Sequence, residues 1–515
     1  MPGTTRVFAA RPVVVLFLAF AVSRAVVRIV GVAIDPRSDY QWQLLDPSIL
    51  RERFLESLVY LHAQPPFFNA LRGAMLKCFP GQGEPPWAWW FLQMGIGLGI
   101  EFALFGTLRR LGTPQRAALV IAVASACGAP SLLYENCLSY TYLDAALLIG
   151  AAYLLVHHFD TQSRLSLWAF FGLLTILCAT RSLYHFLWLL LIAAWVLRRT
   201  LLVTRSWMAL PPIVLSLVIV GSIYCKNLVM FGFLGSSSWT GMNLATMTHT
   251  QLDKAARLQL LALGAVSDLT LRAPFEDLAD YGEQWGRPAA TGVVALDAPK
   301  RFDSSPNFNH IDYIAISRQF SRDALAVIRS SPVVYLQSVA RNMLNFFFRA
   351  STDYHMLEGN RGRIKRWDQI CAFLFYGEIG VFWHSDSDDG HPLKHLGLRE
   401  VVTKKISDTC FFVPLITLLV PVCALRKALK SNSTKVRAMV GFAIFTLVYV
   451  MITADLMNLG ETHRMRFELE PLLFALAGLA LADTPILRRI FREPTHTHLP
   501  VGCCGDNEPA PTPGR

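Results

Sequence analysis

PVVVLFLAFAVSRAVVRIVGVAI, residues 12–34, holds only two charged side chains, Arg24 and Arg28. A bilayer core takes about 20 mostly apolar residues per helix, so this stretch reads as a membrane helix. Ten more stretches repeat the pattern: residues 87–108, 117–133, 142–156, 165–180, 183–197, 207–225, 368–383, 408–424, 436–454 and 467–482. A twelfth, residues 333–349, carries Arg341, Asn342 and Asn345 and reads equally as an amphipathic interfacial helix. The expectation is an all-α polytopic membrane protein with about 10–12 transmembrane helices, a surface helix and a soluble outer segment.

Composition agrees. A soluble chain of 515 residues would form about three domains of about 150 residues. Charged residues are 17% and hydrophobic ones 53%, against about 25% charged in a typical soluble protein; mean hydropathy is +0.38. These values exclude intrinsic disorder, collagen and a disulfide-stapled miniprotein. A net charge of +11 alone would fit a nucleic-acid binder. Here the basic residues recur beside apolar stretches instead of on one polar face.

Those basic residues set an orientation, because cytoplasmic loops are enriched in Lys and Arg. Arg6 and Arg11 precede the first helix; Arg109, Arg110 and Arg116 follow the second; Arg198, Arg199 and Arg205 follow the sixth. Arg426, Lys427, Lys430, Lys435 and Arg437 fill a late connection, and Arg488, Arg489 and Arg492 follow the last helix. Both termini and these loops are expected to be cytoplasmic, leaving residues 35–86 and 226–332 outside. The second of these has ten acidic and ten basic residues. The run Arg361, Arg363, Lys365, Arg366 would be cytoplasmic if residues 333–349 span, which favours twelve crossings over ten or eleven. The first helix reads as a retained anchor, with cleavage near Ala19 or Ala21 as the lesser alternative. Arg24 and Arg28, at i, i+4 spacing, share one helix face, and buried membrane charges usually face the bundle interior.

Four regions follow: an N-terminal bundle, residues 1–225, with a catalytic loop at 35–86; an extracytoplasmic segment, 226–332; a C-terminal bundle, 333–484; and a cytoplasmic, disordered tail, 485–515. The ten cysteines lack metal-site spacing, and Cys503 and Cys504 fall in the tail. The sequon Asn432-Ser433-Thr434 falls in a cytoplasmic loop.

Candidate chemistry lies on the outer face. The first loop offers Asp35, Asp39 and Asp46, then an amphipathic stretch at 48–60, then His62-Ala-Gln64-Pro65-Pro66-Phe67. Asp46 could equally be an ordinary N-cap, and the His62 stretch a helix terminator. Glu135 and Asp144 sit at the membrane boundary, where an ion needs a partner; Arg181, Lys226, Arg464 and Arg466 are the cations nearest outer helix ends. A carboxylate-plus-cation cleft could hold a phosphate and remove a proton; mutual pairing that merely fixes the bundle is the competing reading. The last outer turn gathers Glu461, His463, Arg464, Arg466, Glu468 and Glu470 and reads as a phosphate or sugar clamp.

Together, the Asp46 loop with His62-Ala-Gln-Pro65-Pro66-Phe67-Phe68-Asn69, the Ser139-Tyr-Thr-Tyr-Leu-Asp144 helix start, Thr180-Arg181-Ser182 and Arg464-Met-Arg466-Phe-Glu-Leu-Glu-Pro471 resemble the GT-C superfamily of polyprenyl-phosphate-sugar-dependent glycosyltransferases. The branch they are most similar to holds protein O-mannosyltransferases, aminoarabinose transferases and rhizobial lipopolysaccharide galacturonosyltransferases. Lys226-Asn227 with Phe231-Gly232, and Ser236-Ser-Ser-Trp239 with Gly241 and Asn243, look like a pattern of uncharacterised members. The resemblance covers residues 11–483. One departure is that the mannosyltransferases place adjacent Asp-Glu in the first loop, whereas Asp35, Asp39 and Asp46 are separated here. No MIR-like protein-recognition repeat is apparent.

The resemblance implies a multi-pass membrane glycosyltransferase moving a sugar, with inversion, from a polyprenyl-phosphate donor to a glycan, lipid or protein hydroxyl. It implies a catalytic acid in the first loop, with Asp46 favoured and Asp39 second. Substrate contacts would come from His62, Gln64, Glu135, Asp144, Arg181, Lys226, Glu461, His463, Arg464 and Arg466. No cofactor is certain; a divalent metal is possible, with His62 and Glu135 as its candidate ligands. The expected partners are the donor, the acceptor and the bilayer, with no nucleic acid. The membrane would be bacterial plasma membrane or endoplasmic reticulum, with the active site extracytoplasmic or lumenal. A lipid or solute transporter or flippase is the rival class, although no internal repeat is visible.

Overall fold

In lipid an apolar segment has no hydrogen-bond partner but itself, so each closes its backbone bonds internally as a helix. The computed structural model describes residues 4–34, 43–79, 85–282, 291–378, 410–457 and 459–482. Among them there is no strand, only the isolated bridges Lys300–Pro306 and Glu378–Cys410. Seven helices are long and apolar enough to cross a membrane: Arg11–Ile29, Pro86–Arg110, Tyr140–Thr161, Phe186–Thr204, Leu210–Phe231, Phe412–Lys430 and Thr434–Met457. The chain is thus an all-α polytopic membrane protein. An eighth element is broken, Gln115–Cys127 turning by 50° into Ala129–Glu135. Gly128 is extended at the break, and Pro130, in the first turn beyond, has no N–H to continue the ladder. Two shorter apolar helices, Arg164–Thr180 and Glu470–Leu481, complete ten apolar elements.

Each end of the bundle has its own polar network. At one end Asp160 accepts from Arg110 and from Lys435, both at 2.7 Å, which joins two of the basic connections. At the other, the Ser351 hydroxyl bonds the Tyr376 hydroxyl, which donates to Glu470 at 3.0 Å.

Two of the expected crossings are not among the spanning helices of the described residues. Pro332–Phe348 is helical but lies outside the helices of spanning length and apolarity. The stretch read as a span at 368–383 stops early: Lys365–Cys371 passes into a π-turn at Ala372–Tyr376 and a left-handed Gly377. The Asn360 amide bonds Ala33 through both its oxygen, 3.2 Å, and its nitrogen, 2.7 Å. Glu358–Arg363 therefore sits at the C-terminal end of the first helix, opposite the Asp160 end. The condition for a cytoplasmic Arg361–Arg366 run, a span at 333–349, is not met among the described residues. Arg361 is paired with Asp353 and Asp368.

The two long connections fold onto each other. Leu50, Leu61 and Leu76 share one core with Trp239, Met242, Phe308, Tyr313 and Phe320. The expected surface helix is present as Pro47–Glu52 and Phe54–Val59, interrupted at Arg53. Gly241 lies so close to the Ser317 backbone that a Cβ there would overlap it, bringing Thr240–Met247 onto Asp312–Ser330.

Inside the bundle Arg24 is fully committed. Its Nη2 donates to Glu135 Oε2 at 2.7 Å, its Nε at 3.0 Å, and its Nη1 to the Ala126 carbonyl at 2.6 Å. Tyr142 donates to the same carboxylate at 3.1 Å, and Gly97 leaves the space both groups occupy. Removing one member of a buried pair strands a charge, typically costing about 3–5 kcal/mol, whereas replacing both by apolar residues is often neutral. Arg24→Leu alone should therefore unfold the purified protein at markedly lower temperature, and Arg24→Leu with Glu135→Leu should recover most of the loss. Equal melting of the single and double variants would show that the pair is not the constraint.

Candidate functional site

The Tyr140–Thr161 helix starts abruptly after an extended Ser139, placing Tyr140 and Asp144 in its first turns, both buried. Arg181 follows the last residue of Arg164–Thr180 in extended conformation, where a cation complements the helix C-terminus. Arg464 belongs to the short helix Thr462–Phe467. These three elements converge. The Arg181 guanidinium lies 5.1 Å from the Tyr140 ring centroid and that of Arg464 5.9 Å, cation–π distances within the attractive range.

Each arginine has a carboxylate. Arg181 contacts Glu468, whose other oxygen accepts from the Tyr184 hydroxyl at 2.9 Å, and stands 3.8 Å from Asp144. Neither Asp144 oxygen accepts a hydrogen bond among the described residues. Arg464 pairs with Glu461 at 2.9 Å and donates to the Tyr354 hydroxyl at 3.1 Å.

Arg181, Arg464, Glu461 and Tyr140 line a cavity of about 1030 Å³, which Gln64 also lines. Its remaining walls come from three directions. Leu187, Gly221 and Cys225 belong to the Phe186–Thr204 and Leu210–Phe231 helices; Ser237, Trp239 and Asn243 belong to the segment beyond; Tyr354 and His355 close a third side.

Other residues expected at the site are engaged elsewhere. Asp46 caps Pro47–Glu52, accepting from the Ser48 amide at 2.8 Å and the Ser48 hydroxyl at 2.6 Å, and its second oxygen accepts from the Phe302 amide at 2.6 Å. It does not line the cavity. The capping reading describes it, and its oxygens are occupied. Glu135 serves Arg24. His62 is buried with Nδ1 2.9 Å from the Ser238 hydroxyl, and Lys226 donates to the Leu61 carbonyl at 2.5 Å. Glu135 and His62, the candidate metal ligands, are each bound to a partner within the protein. No group of three His, Cys, Asp or Glu that could hold a metal occurs among the described residues. Arg466 donates to the Phe346 and Arg349 carbonyls, and His463 is buried with no hydrogen-bond partner for either ring nitrogen among the described residues. Asp35 and Asp39 lie outside the described residues.

Sequence reasoning passed over Tyr140, Tyr354, Gln43, Trp239 and Asn243 as site residues. Tyr140 was within a quoted motif, and Trp239 and Asn243 within another, but aromatic and amide side chains gave no charge signal. Comparison with family models and with curated proteins finds no match for the chain.

Burial pushes the His62 imidazole down to about 3. Burial, reinforced by Arg349 and opposed by Asp353, does the same to His463, also to about 3. Each would take up a proton in the unfolded chain below its ordinary value of 6.5, yet stays neutral when folded until near 3. The unfolded state thus binds more protons across that window, so stability falls as pH falls, by at most about 1.4 kcal/mol per pH unit for each group. Melting temperature in detergent should drop from pH 7 to pH 4, and His62→Gln or His463→Asn should flatten the slope. Parallel slopes in wild type and both variants would contradict this.

Proposed function

We propose that the chain is an integral membrane glycosyltransferase of the GT-C type, moving a sugar from a polyprenyl-phosphate donor to an acceptor hydroxyl. The observation that carries this reading is the cavity with Arg181 and Arg464 gathered over Tyr140 at one end of an apolar bundle. Guanidinium groups suit phosphate because they present a planar fork of donors. The lining also reaches Leu187 and Cys225, which are exposed on the bundle surface, a route along which a lipid chain could remain in the bilayer. The positive-inside rule puts the Asp160 end in the cytoplasm and the cavity on the extracytoplasmic or lumenal side.

In this mechanism the acceptor oxygen attacks the anomeric carbon, its proton passes to a carboxylate, and the glycosidic oxygen leaves with the lipid phosphate. Phosphate neutralisation by the arginines supplies transition-state stabilisation. The carboxylate we assign is Asp39, since Asp46 is consumed as a cap. Asp39 stands four residues before Gln43, which lines the cavity.

A transporter is the second reading. Its support is Glu101, buried within the Pro86–Arg110 span with one oxygen unpartnered, since intramembrane acids often mark ion pathways.

The deciding assay is release of radiolabelled sugar from polyprenyl-phosphate donors by the protein in lipid. Asp39→Asn and Arg464→Gln should each lower turnover by at least about 100-fold. Asp46→Asn should keep turnover and, because Asn caps as well as Asp, lose stability only through the second oxygen that accepts from the Phe302 amide, by about 1–3 kcal/mol. Turnover abolished by Asp46→Asn and spared by Asp39→Asn would reverse the assignment. No turnover with any donor would favour transport.

A further inference from the structure

Beside the Arg24–Glu135 pair the Pro86–Arg110 helix buries another carboxyl. Glu101 is fully buried; its Oε1 accepts from the Ser125 hydroxyl at 3.0 Å, and its Oε2 is buried with no hydrogen-bond partner among the described residues. Arg24 is the cation acting on it, but the donors of Arg24 are all committed. Nε goes to Glu135, Nη1 to the Ala126 carbonyl and the Ser23 hydroxyl, and Nη2 to Glu135 and the Ser131 hydroxyl, which uses every N–H a guanidinium has. Glu135, Tyr142 and Cys127 are the other titratable groups acting on Glu101, and none of them is a cation. A carboxylate here would be an ion with one donor in an apolar interior, a state that a buried acid leaves by taking up a proton.

Glu101 lines a cavity of about 30 Å³ that shares no lining residue with the large one. A water needs about 10–15 Å³ of such space and polar partners around it, and Ser125, Ser131, Tyr142, Tyr376 and Glu470 line the cavity with Glu101. Glu470 is its second carboxyl. It accepts from Tyr376 at 3.0 Å and lies 3.9 Å from Arg466 Nε, so it is the better placed of the two to keep a charge. Arg24 donates to Ser131 at 3.2 Å, which puts a guanidinium at this wall already; a metal cation beside it would be repelled, whereas a proton removes a charge instead of adding one. We propose that Glu101 is a proton-binding site within the bundle, its proton held on Oε2, and that Glu470 exchanges that proton with it through water in the cavity. In the exchange the water takes the proton from Oε2 and gives one of its own to the Glu470 carboxylate. Water is restored, Glu101 is left an anion and Glu470 is neutral; the reverse transfer reloads Glu101.

The experiment is infrared spectroscopy of the full-length protein in lipid at neutral pH, wild type beside two variants. Wild type should show a carbonyl band of a protonated carboxyl that Glu101→Gln removes, and in heavy water that band should shift as the proton exchanges. Glu101→Gln should melt at the wild-type temperature, since an amide offers the donor and acceptor of the neutral acid. Glu470→Gln should keep the band, which also shows that the site is intact, but slow its shift in heavy water by about 100-fold, the lower end of what a positioned proton acceptor contributes. A spectrum unchanged by Glu101→Gln, or a Glu101→Gln protein that melts well below wild type, overturns the proton site. A band displaced by added sodium chloride overturns it too and assigns the cavity to a metal cation. Exchange as fast in Glu470→Gln as in wild type overturns the role of Glu470.

Discussion

Arg24 and Glu135 form the constraint from which the rest of the bundle takes its register. A charge in the apolar interior is tolerated only with a partner. Here the first helix must dock so that its guanidinium reaches a carboxylate at the end of a helix broken at Gly128. The same carboxylate accepts from Tyr142, which fixes how the Tyr140–Thr161 helix is rotated. Its rotation aims Tyr140 at the cavity and Asp144 at Arg181. One structural ion pair thereby positions a second, which borders the site.

The broad architecture was legible because membrane insertion reads composition: a long apolar run has few alternatives to a helix. The end of the bundle where the Arg361–Arg366 run sits was not legible, since it depends on Asn360 meeting Ala33 over 327 positions of sequence. The site was legible in part. Arg181, Glu461, Arg464 and Gln64 line the cavity, and Asp144 lies within 3.8 Å of Arg181. Glu135 and Asp46 stood out as acids; the Ser48 cap on Asp46 was legible locally, but the Phe302 amide on its second oxygen and Arg24 on Glu135 were not. Charge marks residues that must be paired; it does not say whether the partner is the protein or a ligand.

At the cavity the partner is the protein. Its two arginines stand beside Asp144, Glu468 and Glu461, so the cations are already compensated by the fold. Without those acids two guanidinium groups around one tyrosine would repel each other in a poorly hydrated setting. Compensation lets the chain hold them close, but it also means that any anionic ligand competes with a carboxylate for at least one arginine.

Exposure separates the two carboxylates. Glu468 is fully buried, contacts Arg181 and accepts from Tyr184; moving it would strand an ion in the apolar interior. Glu461 keeps about a third of its side chain accessible and follows Gly460, whose φ of 94° is a conformation favourable mainly to glycine. Glu461 can leave Arg464 for water at little desolvation cost, whereas Glu468 cannot leave Arg181. Under the transferase reading the arginines are therefore unequal: Arg181 is a fixed anchor that shapes the floor, and Arg464 is the cation released to an incoming phosphate. The density of charge in the last turn reflects that division, pairing an exchangeable partner with a permanent one.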